Sequence, residues 1–289
     1  MKVLVTGASG NAGTAVCHLL VEKGFDLRRC DVAPPVSDDL PQVELVRCDT
    51  RTVSDVQRAM NGCHAVVHLA AWHCAHNPPV SDATIFAVNV DGTFNVFEAA
   101  REAGVGAVVF ASSMAFGWGG VYGVTKVIGE DLCRMYHETT GASVAMLRYH
   151  DFVPKPYLAF GAKLLRNGVD RRDVASATVA SLEAAVERKF GLFGSIIHTD
   201  HGMPRGVVDN FGELGVEWGE AQVPGARELI AKYEIELPNS VEQHDLSEAN
   251  RLLGWKPRIG FTEFLLDLKA RDANLEDIRT LWAPGQLPA

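Results

Sequence analysis

Apolar residues along the chain come in short runs separated by amphipathic stretches. KVLVT (2–6), FDLRRCDV (25–32), VELVRC (43–48), AVVHLA (65–70), AVVFAS (107–112) and SVAMLRY (143–149) have the length and composition of buried strands. SIIHT (195–199) predicts a late seventh strand. Between the first six lie AVCHLLVEKG (15–24), TVSDVQRAMNG (52–62), ATIFAVNVDGTFNVFEAAREAG (83–104) and VYGVTKVIGEDLCRMYHETTG (121–141), where apolar positions recur at helical spacing and a glycine closes each segment. Strict alternation of nearly all-apolar strands with such helices predicts an α/β fold. Its parallel sheet is covered on both faces and doubly wound through right-handed crossovers.

Beyond residue 150 the rhythm weakens. PKPYLAFGAKLLRNG (154–168) is short and carries two prolines, and RRDVASATVASLEAAVERK (171–189) predicts one helix. Residues 200–224 are rich in glycine and predict irregular chain, followed by a short helix at DLSEANRLLGW and a long one at FTEFLLDLKARDANLEDIRTLW. The expected organisation is a nucleotide-binding domain over 1–150, completed by about 171–199, and a small C-terminal substrate lobe made of 151–170 and 200–289.

TGASGNAG places Gly7, Gly10 and Gly13 directly after the first strand and at the opening of the first helix. In that context the first glycine permits a tight turn, the second lets backbone approach a pyrophosphate, and the third lets helix pack on strand. The amide groups of the helix N-terminus then hold the phosphates. This is the Rossmann-type arrangement; a glycine-rich turn with no ligand is the plainer alternative. Asp31 ends the second strand, where a carboxylate accepts hydrogen bonds from the adenosine ribose and repels a 2′-phosphate, so NAD is expected over NADP. Arg28 and Arg29 argue the other way, since either could meet that phosphate.

Together these segments resemble the extended short-chain dehydrogenase/reductases, the NAD-dependent epimerase/dehydratase family. TGASGNAG is similar to its TGxxGxxG turn, and implies cofactor contacts at Ser9, Asn11 and Ala12 as well as at the glycines. RCDT puts Asp49 where family members carry an aspartate near the adenine. HLAA resembles the loop after the fourth strand, with Leu69, Ala70 and Ala71 along the cofactor. NVDGTFNVFEAA resembles the family's long helix, with Asn89 at its usual asparagine. LRYHDFVP loosely resembles LRxxNxxGP, and HDLSEANRLLGWKP a C-terminal signature. The likeness covers most of 1–150 and 244–265. FASSMAFG and YGVTKVIGEDLCRMYHETTG look most like the uronate dehydrogenase-like members.

FASS and YGVTK supply the catalytic candidates that the resemblance implies: Ser113, Tyr122 and Lys126. Oxidation of a secondary alcohol by NAD needs a base for the hydroxyl proton. A free phenol has a pKa near ~10 and must be acidified to serve near neutrality. Lys126 stands one helical turn from Tyr122, on the same face, where its charge, with that of the oxidised nicotinamide, favours the phenolate. Its family counterpart hydrogen-bonds the nicotinamide ribose. Ser113, at the end of the fifth strand, is placed to orient the substrate oxygen; Ser112 is a possible second contact. Two departures stand out. Serine and tyrosine are nine positions apart, much closer than in the family, and the insertion after Arg148 is short. Nine residues still span the gap at roughly 3.3 Å each, so the pocket wall, rather than the catalytic geometry, is put in doubt. A shortened insertion suggests a free sugar or sugar acid rather than a nucleotide-sugar.

Composition narrows the remaining possibilities. The 289 residues carry a net charge of −9, so a nucleic-acid partner is not expected. No apolar window is long enough to span a membrane, no signal peptide is apparent, and the six scattered cysteines fit a reduced, cytoplasmic chain. Cys63, His64, His68, His73, Cys74 and His76 match no standard metal-ligand spacing, and HTDH (198–201) reads as a strand end, so no metal is expected. His73 is a candidate to face substrate, and Arg166, in the reduced lobe, to anchor an acidic one. Trp118 lines or caps the pocket. A homodimer through the helices 83–103 and 121–140 is expected from the resemblance. The rival readings are a UDP-sugar 4-epimerase, which begins with the same oxidation, and a non-catalytic NAD(P) sensor.

Overall fold

The computed structural model describes residues 1–74, 78–117 and 119–284. The chain forms two compact units, the larger made of Met1–Tyr149, Val174–Ile196 and Ser247–Trp255. It is built on a seven-stranded sheet whose strands are β1 (Lys2–Thr6), β2 (Asp26–Asp31), β3 (Leu45–Arg47), β4 (Ala65–His68), β5 (Ala107–Ser113), β6 (Ser143–Tyr149) and β7 (Leu192–Ile197). Their order is β3-β2-β1-β4-β5-β6-β7, and the pairs from β3 to β6 are parallel. The order reverses between β1 and β4, which opens a crevice at their carboxyl ends, where doubly wound folds bind ligands. All seven predicted strands are present.

The helices of this unit are α1 (Asn11–Glu22), α2 (Val53–Met60), α3 (Asp82–Phe86), α4 (Gly92–Glu102), α5 (Val121–Thr140) and most of α7 (Arg171–Val186), which follows α6 (Tyr157–Leu164). Leu4, Val66, Val108 and Val144 come from four neighbouring strands and are fully buried against Phe97 of α4 and Tyr136 of α5. Alternate strand residues face opposite sides, so strands covered on both faces must be apolar throughout, which is why their sequence shows runs rather than alternation. The single long helix expected over 83–104 is interrupted: Ala87–Asp91 forms a π-helical turn between α3 and α4.

The smaller unit comprises His150–Asp173, Ile197–Leu246 and Lys256–Ala289. After α6 and the start of α7 it contains α8 (Arg205–Asp209), α9 (Phe211–Gln222) and α10 (Ala226–Lys232); α11 (Ser247–Leu253) belongs to the larger unit, and α12 (Phe261–Ala273) returns to the smaller. Tyr157, Phe160, Phe211, Phe261 and Phe264 form its aromatic core. The irregular chain expected over 200–224 is instead largely helical. Its glycines are packing notches: a methyl group on Gly215 would lie 2.6 Å from the Phe211 ring, and one on Gly219 would touch Leu265. No helix among the described residues is long and apolar enough to cross a membrane.

Candidate active site

The turn from β1 to α1 is dictated by contact. Gly7 has φ +67, and a Cβ on it would stand 2.7 Å from the Ala70 amide nitrogen, so the Leu69–Ala71 segment passes directly over it. Ala70 N donates to Thr6 Oγ1 at 3.3 Å and Leu69 N to the Thr6 carbonyl at 3.2 Å, which ties that segment to β1. A Cβ on Gly13 would meet the Gly7 carbonyl oxygen at 2.1 Å, so helix and strand touch through bare backbone. Gly10 differs: its only neighbour is the Gly7 oxygen at 3.3 Å. As N-cap of α1 it puts no side chain before the first amide groups. An approachable backbone at an uncapped helix N-terminus is the cradle a pyrophosphate requires. Ser9, Asn11 and Ala12 complete this turn.

Asp31 closes β2 and accepts the Ser9 amide at 2.9 Å and the Ala33 amide at 3.3 Å, which fixes its carboxylate beside the turn. The two neighbouring arginines are engaged elsewhere. Arg28 pairs with Glu44 at 2.8 Å and donates to the Ala59 and Asn61 carbonyls. The guanidinium of Arg29 is buried on Asp38 and on the Leu40 and Val43 carbonyls. Neither is at liberty to meet a 2′-phosphate. Asp49, after β3, is held by the Arg51 guanidinium at 2.6 Å, which lowers its carboxyl from the usual range.

The catalytic candidates come together. Ser113 ends β5, Tyr122 lies in the first turn of α5, and the Ser113 side chain is near enough to the phenol to favour its ionised form. Ser113 Oγ also accepts the Ala115 amide at 3.1 Å, which aims it. The close approach of α5 to β5 depends on Gly129, where a Cβ would lie 2.4 Å from the Phe110 ring. Lys126 is buried; its Nζ donates to the Ala111 carbonyl at 2.8 Å and stands 5.5 Å from the centre of the Tyr122 ring. Burial dominates both groups in the protein alone. Burial pushes Tyr122 up to about 12, against a smaller downward pull from Ser113, and burial brings Lys126 down to about 8. A desolvated ammonium turned onto the strand backbone does little for a phenolate one turn away.

The His73 ring packs edge-on against that of the candidate Tyr122, at 4.4 Å between centroids. His76 and Trp118 lie outside the described residues. His68 is a core residue: it sits between Thr6 Oγ1 at 2.6 Å and Thr93 Oγ1 at 3.0 Å, and burial lowers it to about 3. Ser112 is corrected. Alternation along β5 turns it away from Ser113, and its buried hydroxyl donates to Glu130 at 2.6 Å. The Arg166 guanidinium pairs with the exposed Glu236 at 3.4 Å, on the surface of the smaller unit.

Two further residues support the site, Asn89, which the resemblance had marked, and Glu130, which it had not. Asn89, in the π turn, grips both backbone groups of Trp72 at 2.8 and 3.0 Å and donates to Thr125 Oγ1 at 3.0 Å. It thus fastens the loop after β4 to the helix that bears Tyr122, a positioning role; π turns recur at functional sites. Glu130, one turn beyond Lys126 on α5, is buried and forms a forked pair with Arg148 at 2.7 and 2.8 Å. The Arg148 guanidinium in turn covers the Phe116 ring at 4.1 Å, anchoring the short loop between Ser113 and Tyr122. The i+4 spacing of Lys126 and Glu130 was the available clue.

A model of the NAD dependent epimerase/dehydratase family matches residues 3–156. The chain belongs to that family. Among its relatives are the uronate dehydrogenase of Pseudomonas putida, 28% identical over 171 residues, and that of Agrobacterium fabrum, 32% identical over 171. These matches take in 54% of this chain and 62% and 63% of the two relatives. The fold is similar to a crystal structure of UDP-galactose 4-epimerase, with a TM-score of 0.67, 24% identity, and coverage of 95% of this chain and 99% of the other. The matched range takes in Ser113 on β5 and Tyr122 and Lys126 on α5.

Proposed function

We propose that the protein is an NAD-dependent dehydrogenase that oxidises a secondary hydroxyl carbon of a free sugar or sugar acid. The observation that carries this reading is the grouping of Ser113 and Tyr122 with Lys126 one turn away, together with an Asp31 that no free arginine neutralises. NAD, when bound, supplies the hydride acceptor and a positive charge at its nicotinamide. Gly7, Gly10 and Gly13 admit its pyrophosphate, and Asp31 accepts from its ribose. Ser113 orients the substrate oxygen. Tyr122 removes the hydroxyl proton as the hydride departs, and Lys126 stabilises the phenolate once the second positive charge is present. Similarity to uronate dehydrogenases favours a sugar acid. A homodimer through α3–α4 and α5 is part of the same reading, since Phe86, Phe94 and Val124 are exposed there.

The test is near-ultraviolet absorbance of NADH with purified protein, NAD, and a panel of free sugars, uronic acids and UDP-sugars, run beside Tyr122→Phe. Reduction of NAD by a free sugar or uronic acid, lowered about 10²–10⁴-fold in the variant, is the expected result. Conversion of a UDP-sugar to its epimer without NADH release would mark an epimerase instead, and NAD binding with neither signal a sensor. Sedimentation at micromolar concentration tests the dimer.

A further inference from the structure

The smaller unit contains a side-chain group that the proposed reaction does not use. His150 follows β6, His198 follows β7, and His244 lies in the segment between α10 and α11. One ring nitrogen from each lies within 4.8 Å of the other two. The ring centroids are 4.2 Å apart for His150 and His198, 4.7 Å for His150 and His244, and 5.0 Å for His198 and His244. His150 and His198 are buried, and His244 is partly so.

The second nitrogens show where the lone pairs are. His150 Nδ1 lies 3.3 Å from the Asn167 carbonyl oxygen, and His198 Nε2 lies 2.9 Å from that of Arg166. A carbonyl oxygen only accepts, so these nitrogens carry the protons. Both rings are buried, where a charge is costly. Lone pairs therefore remain on His150 Nε2 and His198 Nδ1. His198 Nδ1 has no hydrogen-bond partner among the described residues, although the residue is 0% exposed. His150 Nε2 faces His244 Nε2 at 3.0 Å, and Glu242 Oε1 approaches the same His244 nitrogen at 2.9 Å. One proton on His244 Nε2 serves at most one of these two acceptors well. Three ring nitrogens thus converge, with the Glu242 carboxylate beside those of His244 and His150 at 2.9 and 3.8 Å, and too few protons lie between them.

We propose that His150, His198 and His244 bind a divalent transition cation of the zinc or cobalt type, with the Glu242 carboxylate as fourth ligand. Imidazole nitrogens suit these ions, whereas calcium and magnesium take oxygen shells. Histidines that ligate metals donate their remote N–H to a carbonyl or carboxylate, as His150 and His198 do here. Nitrogens at about 2.1 Å from a tetrahedral ion are about 3.4 Å apart, so the His150–His244 pair opens slightly and the wider separations close by an ångström or so. The ion joins two separate stretches of the smaller unit, His150 coming from one and His198 and His244 from the other.

The experiment is titration of chelator-treated, tag-free full-length protein with cobalt(II), followed by zinc. The expected result is one equivalent of cobalt with a tetrahedral visible ligand-field band and no near-ultraviolet thiolate band. Zinc should displace it and raise Tm. His244→Ala, at the partly exposed ligand, should weaken binding at least 100-fold, whereas Cys74→Ser should not change it. Should the alanine variant fail to fold, His244→Gln, which keeps the side-chain volume, is titrated in its place. Absence of a stoichiometric cobalt band, a thiolate band, or unchanged affinity in the His244 variant overturns the proposal and leaves the trio as hydrogen-bonded core histidines.

Discussion

Two glycines of one turn, three residues apart, should fail in opposite ways when each is changed to alanine. At Gly13 the new methyl would sit 2.1 Å from the Gly7 carbonyl oxygen and 2.8 Å from Ala8 backbone atoms. None of these is a flexible side chain, so β1 and α1 must separate. Overpacking of a rigid site costs about 1–3 kcal/mol, and contact with backbone alone places Gly13→Ala near the upper end, at about 3 kcal/mol. For a chain of this size each kcal/mol shifts Tm by about 2–4 °C, so a loss of about 6–12 °C is expected. At Gly10 the nearest atom is 3.3 Å away and φ is −75, a value alanine adopts freely. Gly10→Ala should hold Tm within about 2 °C, since surface-type changes stay within about 0.5 kcal/mol. Its methyl would nevertheless occupy the approach to the pyrophosphate. NAD affinity should fall by at least tenfold, equivalent to about 1.4 kcal/mol. Differential scanning fluorimetry and NAD titration by calorimetry measure both quantities on the same samples. A Gly10→Ala protein with wild-type NAD affinity would refute the assignment of this turn as the phosphate cradle.

Lys126→Met removes the ammonium whose folded-state pKa burial has brought down to about 8. A lowered lysine costs stability fully below pH 8, and that cost fades as the folded lysine loses its proton while the unfolded one keeps it to about 10.4. The variant should therefore be more stable than wild type by up to about 3 kcal/mol below pH 8, with the gap closing by pH 10 in denaturant titrations, and it should lack turnover. Arg148→Met leaves the buried Glu130 unpaired and uncovers Phe116; a loss of about 3 kcal/mol in urea unfolding is expected. Asp31→Ser should raise KM for NAD without making NADP the preferred cofactor, because Arg28 and Arg29 stay bound to Glu44 and Asp38; the ratio of kcat/KM for the two cofactors decides.

How far the chain could be read before its structure was known depended on whether a feature is local. The strands of a doubly covered sheet are continuous apolar runs, so KVLVT and AVVFAS declare themselves, and the order of glycines around Gly10 carries its own context. Gly215 and Gly219 misled for the same reason that Gly7 informed: a missing side chain serves turns and close packing alike, and only Phe211 and Leu265 show which. The π turn at Asn89 is set by partners at Trp72 and Thr125, distant in sequence. The direction of Ser112 follows from strand alternation, yet its partner Glu130 lies on a helix whose register the strand does not reveal. His150, His198 and His244 sit far apart along the chain, and no spacing rule joins them.

The short loop between Ser113 and Tyr122 also bears on how such an enzyme changes its substrate. Its two ends are held by structures that do not depend on it: Ser113 by the β5 ladder, Tyr122 by a helix pressed against Phe110 at Gly129. Lengthening a loop between fixed ends is thermodynamically mild, at about 0.6 kcal/mol for each doubling. Segments inserted at Gly117–Gly120 would thus build new walls beside an untouched candidate site. This makes the loop a natural place to graft specificity, in the laboratory or in descent.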